Sequence, residues 1–302
     1  ETEADTEAFD LAIDSFLDTV KENSASGNAA LLSSLPESLS KATREKCLDA
    51  GVVPLQGLAE SLEALQHAAK IKIVWNEWSR PEIIPPLPDD LTVRTLTESE
   101  SKEMLVEHGF KVPKSILANP DEISAVAEEI GFPVVLKAVA PEMSHKTELG
   151  GVALNLKNVP EVVATATAMS GIAEYFIVEE MITDGVAEMI LGVSVDPQFG
   201  PTLTLGAGGV YTELLKDSVA LLFPVSGKQV RQSIEKLRIN ALLQGWRGKA
   251  EGDIEALVEA VLKLANFVER HAGHLAGCDI NPLIVRPCGK GVVAVDALIN
   301  LK

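Results

Sequence analysis

Residues 76–96, NEWSRPEIIPPLPDDLTVRTL, place Pro81, Pro85, Pro86 and Pro88 in one short run. Proline fixes φ and lacks an N–H, so neither a helix interior nor a central strand tolerates such density. The chain is therefore expected to pack as two parts, residues 1–75 and 97–302, joined by a linker or extended strap over 76–96.

The first part reads as helix, strand, helix, strand, helix. DLAIDSFLDTV puts Leu11, Phe16, Leu17 and Val20 on one helical face. AALLSSLPESL is a short apolar run ending in a turn, with Pro36 early in the next helix. AGVVPLQGLAESLEALQHAA supplies a second strand and a further helix. The pattern is parallel α/β, but two short strands make a thin sheet for an independent domain. Further strands are expected upstream of residue 1.

The second part carries sharper signals. Thr97 and Glu100 stand at capping-box spacing and open a helix that stops at Gly109. Asn119 reads as the cap of another helix, with Pro120 in its first turn and Gly131 past its end. FPVVLKAVA is a strand of the buried type, and GGVALNLK, YFIVEEMI, AEMILGVSV and TLTLGAGG add more. Helices are expected over 227–238 and 253–271, and CDINPLIVR with GVVAVDALIN forms a hairpin-like pair. This α+β mixture suits a nucleotide-clasping fold better than a doubly wound sheet.

Composition narrows the partners. The 302 residues are 46% hydrophobic, enough to bury several layers, and carry a formal net charge of -18. That charge argues against nucleic acid or an anionic membrane as partner, although a few lysines in one cleft still suit a small anion. Aromatics at 4% are too few for a base-stacking platform. Cys47, Cys278 and Cys288 contain no CxxC pair and read as thiols of a reducing compartment. His271, His274, Cys278 and Cys288 match no zinc spacing. No apolar run reaches the ~20 residues of a membrane span, and ETEADTEAF lacks the features of a signal peptide. A cytoplasmic location is expected.

Several residues could carry chemistry, each with a plainer alternative. Lys137 ends an apolar strand, where it either snorkels to solvent or binds an anion. Glu179 in EEMI, residues 179–182, either accepts from the amino group of an adenine or belongs to a solvated acid pair. LGAGGVYTELLKD, residues 205–217, offers glycine amides to phosphates without forming a P-loop or a full dinucleotide turn. Asn281 and Asp296 are polar residues in apolar strands. They suit a magnesium that keeps several waters, or equally an edge asparagine before Pro282 and a capping aspartate. His145 and Lys146, on a loop bounded by Pro141 and Gly150, are either a phosphoryl-accepting imidazole with a charge-stabilising neighbour or exposed loop residues.

Taken in order, IGFPVVLKAVAPEMSHKTELGGVALNL, VEEMITDGVAEMILGVSVDPQFGPTLTLGAGGVYTELLKD, LLQGWRG and CDINPLIV with VAVDA give residues 97–302 a family likeness. They resemble the ATP-grasp part of NDP-forming acyl-CoA synthetases, which include ADP-forming acetyl-CoA synthetases and are related to the succinyl-CoA synthetase beta subunit. Residues 30–70 resemble the end of that family's flavodoxin-like CoA-ligase domain, which accounts for the thin sheet.

The resemblance implies an ATP-grasp fold working on ATP or ADP with Mg2+, and CoA as a co-substrate bound mainly outside this chain. It implies that Lys137 contacts phosphates under Gly150 and Gly151, and that Glu179, Glu180, Met181 and Ile182 hold adenine. Glu188 and Glu213 would lie on the nucleotide side, and Asn281 and Asp296 would ligate magnesium. His145 would relay a phosphoryl group, with Lys146 and Arg247 assisting. The implied reaction makes acyl-CoA from a carboxylic acid, CoA and ATP, releasing ADP and phosphate through phosphohistidine. The CoA-binding ligase portion would belong to the same protein or to a partner subunit, in a homo- or hetero-oligomer. Cys278 stands where the family more often has an acidic residue, and is expected to tune metal affinity. Two other readings are a nucleotide-sensing module of a protein acetyltransferase and another ATP-grasp carboxylate ligase. His145 in SHKTELGG favours catalysis over sensing.

Overall fold

Two compact units, Glu1–Arg80 and Pro81–Lys302, divide at the proline-rich run. The computed structural model describes residues 3–23, 29–77, 84, 92–139, 151–171, 173–209 and 216–302.

In the first unit, α1 (Glu3–Glu22), β1 (Ala30–Ser33), α2 (Lys41–Asp49), β2 (Val53–Gln56) and α3 (Leu58–Glu77) follow one another. β1 and β2 pair in parallel, with Leu31 opposite Pro54. Ile13, Leu17 and Val20 of α1 bury against Cys47, Ala50 and Val52. Leu11 and Phe16, expected on that face, are 70% and 37% exposed. The i, i+4, i+7 spacing of Ile13, Leu17 and Val20 sets the stripe, and Leu11 falls on the far side of the helix. Pro36 also departs from expectation. It opens a separate 3-10 turn, Pro36–Ser38, and the helix begins only after Ser40, whose side chain accepts from the Thr43 N–H.

The second unit opens with β3 (Arg94–Thr95), drawn from the end of the expected linker, and α4 (Glu98–Glu107). β4 (Ser115–Ala118), α5 (Ile123–Ile130), β5 (Val134–Val139), β6 (Val152–Leu156), α6 (Val159–Met169) and β7 (Tyr175–Glu180) come next. They build an antiparallel four-stranded sheet of order β4-β7-β5-β6, covered by α5 and α6. Asn119 caps a turn ahead of α5 and not α5 itself: its Oδ1 accepts from the amides of Asp121 and Glu122. A turn residue that satisfies the nearest two amides leaves the helix to start one step later.

β8 (Ala187–Asp196), β9 (Gly200–Ala207), β10 (Ser218–Leu222), α7 (Gly227–Lys236), α8 (Ile254–His271), β11 (Leu275–Val285), β12 (Val292–Ala294) and β13 (Ala297–Leu301) complete the chain. A seven-stranded sheet results, of order β10-β9-β8-β11-β13-β3 with β12 also on β11. α8 lays Leu257, Val261, Leu264 and Val268 into its core. Each such side chain contributes about 2 kcal/mol through apolar burial. The expected pairing at the chain's end is present, since β11 runs antiparallel to both β12 and β13.

α4 connects the two sheets of this unit. The capping box of Thr97 and Glu100 fixes its start. Leu105 buries in the core of the large sheet, and the Ser101 hydroxyl accepts the Ile299 N–H of β13 at 3.2 Å. Glu98 and Lys102, one turn apart, meet side chains of the small sheet.

Candidate active site

Lys137 lies on β5 in an otherwise apolar run, opposite Val152 of β6 and Ile177 of β7. A lone ammonium could not remain there. Its Nζ stands 2.6 Å from Glu98 Oε1 and 3.0 Å from Glu179 Oε1. Lys102 reaches the same two acids, 2.9 Å from Glu98 Oε1 and 2.5 Å from Glu179 Oε2. The result is a buried quartet of two lysines and two glutamates, each lysine touching both acids. The contacts are not equivalent. Glu179 Oε1 forms no hydrogen bond, so the 3.0 Å approach of Lys137 is an ion pair without hydrogen-bond alignment.

Burial opposes the charge on Lys137, but Glu179 and Glu98 outweigh it and hold the ammonium above its ordinary value. Burial likewise opposes ionisation of Glu98, yet Lys137 and Lys102 draw its carboxyl down to about 2. Beside the quartet lies Asp296, between β12 and β13. It is exposed to solvent. Burial first, then the charge of Glu98, push its carboxyl up to about 6 against the pull of Lys137 and Lys102.

Asn281 is fixed from the other direction. Its backbone N–H donates to Asp296 O at 3.2 Å, and its Oδ1 accepts the Gly209 N–H at 2.9 Å. Gly209 has φ +74, and a Cβ there would stand 2.0 Å from Glu188 Oε2. At Gly208 a Cβ would lie 2.5 Å from the Met189 carbonyl. The glycine turn after β9 is therefore pressed onto β8, beside Glu188 and Asn281. Asn281 and Asp296, tied through the backbone, offer an amide oxygen and a carboxylate of the kind magnesium takes when water and phosphate fill the rest of its shell. A cation bound at Asp296 would offset the burial and the Glu98 charge that oppose its ionisation. Among the described residues no group of three or more His, Cys, Asp or Glu is arranged for a metal.

Other expected residues fall in varied places. The Glu179 carboxylate is fully buried on the two lysines and does not belong to a solvated acid pair. Glu180 is exposed, its N–H donating to Lys114 O, and the Met181 N–H donates to Pro133 O at 3.3 Å. Ile182 is half-buried just beyond β7, and Gly151 is buried where its carbonyl accepts the Ala138 N–H at 2.7 Å. Arg247, at φ 53 between two left-handed glycines, sits over the Trp246 ring at 5.6 Å. It has no described contact with the quartet. His145, Lys146, Gly150 and Glu213 lie outside the described residues.

Cys278 does not share the pleat face of Asn281. It packs in the large core with Ile280, opposite in pleat to Asp279 and Asn281, and burial pushes its thiol up to about 12. Sequence reasoning missed Glu98 and Lys102 altogether. Their i, i+4 spacing was visible, but nothing local marks the pair as buried.

The family description ATP-grasp domain matches residues 91–301. The chain is also 36% identical over 217 residues to the beta subunit of ADP-forming acetate–CoA ligase II of Pyrococcus furiosus, across 68% of this chain and 92% of that one. The chain belongs to the ATP-grasp family, among the ADP-forming CoA ligases. With the ADP-forming 4-hydroxybutyrate–CoA ligase of Nitrosopumilus maritimus this ATP-grasp protein shares 37% identity over 216 residues, 68% of its own length but 31% of that relative's. It thus spans nearly all of a beta subunit and about a third of that longer ligase. A solved structure of dinucleotide-forming acetyl-coenzyme A synthetase 1 from Ca. Korarchaeum cryptofilum is 35% identical, with a TM-score of 0.61 over 69% of this chain and 93% of that one. That structure holds coenzyme A and Mg-AMPPCP, with a phosphohistidine segment pointing towards the nucleotide site.

Proposed function

We propose that this chain is the nucleotide-binding, phosphoryl-transferring part of an acid–CoA ligase that converts a carboxylic acid, CoA and ATP to acyl-CoA, ADP and phosphate. The observation that carries the reading is the buried Lys137 ammonium held on Glu98 and Glu179, close enough for Asp296 to act on its charge, with Asn281 tied to the Asp296 backbone. Phosphoryl transfer needs fixed positive charge on phosphate oxygens and a hard cation between them. Lys137 supplies the first, and the oxygens of Asn281 and Asp296 are the ligands for the second. Magnesium bound there would neutralise charge on the transferring group.

In this reading Gly150 and Gly151 close over the phosphates, while Glu180, Met181 and Ile182 border the base. Glu188 and Glu213 lie on the nucleotide side. His145 accepts the phosphoryl group on a ring nitrogen, with Lys146 and Arg247 offsetting the negative charge. Glu179 acts through the lysines and not on the base. CoA and the acyl group are held by a further CoA-ligase-like portion, in the same protein or in a partner subunit, and residues 1–75 are the end of that portion. The beta-subunit relatives support this division of labour. Three cysteines without a disulfide support a cytoplasmic setting. No helix among the described residues is long and apolar enough to cross a membrane.

The test is incubation of the chain with magnesium and γ-labelled ATP, followed by acid and base treatment. Acid-labile, base-stable label that disappears in His145→Ala is the expected result. Label that survives in that variant would remove the phosphoryl-carrier role.

A further inference from the structure

The charged quartet holds more positive charge than the phosphate-binding role of Lys137 needs. Lys102 duplicates every contact that Lys137 makes with protein acids, at 2.9 Å to Glu98 and 2.5 Å to Glu179. It is also anchored more firmly. Lys102 hydrogen-bonds to both carboxylates, whereas Lys137 hydrogen-bonds to Glu98 at 2.6 Å and meets Glu179 only as an unaligned ion pair. A lysine on a helix whose next turn is locked into the large core through Ser101 and Leu105 is the fixed partner. A lysine that commits one aligned hydrogen bond to a described acid keeps protons to offer elsewhere.

Resting on the nucleotide reading above, we propose that Lys102 is a positioning residue that retains Glu98 and Glu179 when Lys137 turns to the nucleotide phosphates. Burial explains why the second lysine is required. Glu179 is fully buried, and withdrawing Lys137 from it without another cation would strand an unpaired carboxylate, a state of high cost. With Lys102 in place both acids keep a hydrogen-bonded cation throughout. Lys137 then exchanges one carboxylate oxygen for a phosphate oxygen, and the region stays close to charge balance. Glu98, shared by both ammonium groups through the same Oε1, is the acid that competes with phosphate for Lys137.

The experiment is calorimetric titration of Mg-ADP into the wild-type chain and into Glu98→Gln, Lys102→Met and the double variant E98Q/K102M, with thermal unfolding in parallel. Glu98→Gln removes the competitor while Lys102 stays on Glu179, and its affinity should equal or exceed wild type. Lys102→Met should bind about tenfold more weakly or worse, but this variant risks misfolding because it leaves two acids on one lysine. The double variant avoids that risk. It restores one lysine to one glutamate, so its unfolding temperature should recover, yet its affinity should remain about tenfold down because Lys137 is again the sole partner of a buried acid. A double variant that regains wild-type affinity together with stability would make Lys102 merely structural and overturn the proposal. A wild-type chain that binds no Mg-ADP would instead overturn the nucleotide reading itself.

Discussion

Replacing Glu98 by glutamine removes one of two carboxylates that face two buried lysines, and its effect on stability follows from the site. The Glu98 carboxyl stands at about 2 against an ordinary 4.5, so the folded state favours its ionised form by about 3 kcal/mol at ~1.4 kcal/mol per pH unit. A depressed carboxylate contributes stability that is complete above its unfolded value of 4.5 and is lost as pH falls through about 2. Near neutral pH the Glu98→Gln chain should therefore be less stable by about 3 kcal/mol, within the range for breaking a buried pair. By pH ~3 the wild type should have surrendered about 2 kcal/mol of that advantage, and the two unfolding curves should draw together. Urea unfolding from pH ~7 to ~3 measures this, with the transition of the second unit fitted separately because a chain of two units need not unfold in one step. A stability difference that stays constant across that range, or is absent at neutral pH, would refute the reasoning.

Three further outcomes follow from the geometry. Asp296→Asn should abolish the pH dependence of Mg-nucleotide affinity, which in the wild type should weaken as pH falls below about 6 because the carboxyl takes up a proton; titrations on either side of that value decide it. Gly208→Ala forces a Cβ to 2.5 Å from the Met189 carbonyl, so denaturant midpoints should report a loss of about 2 kcal/mol, and an unchanged midpoint would contradict the close packing of the turn. Iodoacetamide at mildly alkaline pH should label Cys288, which is exposed, and spare Cys47 and Cys278, both buried; mass spectrometry of native and urea-unfolded protein distinguishes the sites.

Much of this protein is written locally. The capping box at Thr97 and Glu100 sets where α4 begins, because a hydroxyl and a carboxylate three residues apart satisfy each other's amides whatever lies around them. The run FPVVLKAVA becomes β5, and the 3.6-residue apolar period of IEALVEAVLKLANFV becomes α8, since each pattern has one favourable way to bury its apolar side chains. The pair Asn281 and Asp296 was legible as polar interruptions in apolar strands. Leu11 and Phe16 were misplaced because several phases of one amphipathic helix looked alike until a neighbour covered one of them.

The quartet was not legible. Glu98 and Lys102 at i, i+4 are also what a solvated helix surface carries, and the spacing is the same in either case. Their partners stand far along the chain, Lys137 39 residues from Glu98 and Glu179 77 residues from Lys102. Only the packing of α4 between two sheets turns a surface pair into half of a buried, charge-balanced group. Sequence by itself determined which segments bury apolar faces and which oxygens interrupt them. Tertiary structure alone decided which charges lose their water, because desolvation depends on what the other elements bring to the same place.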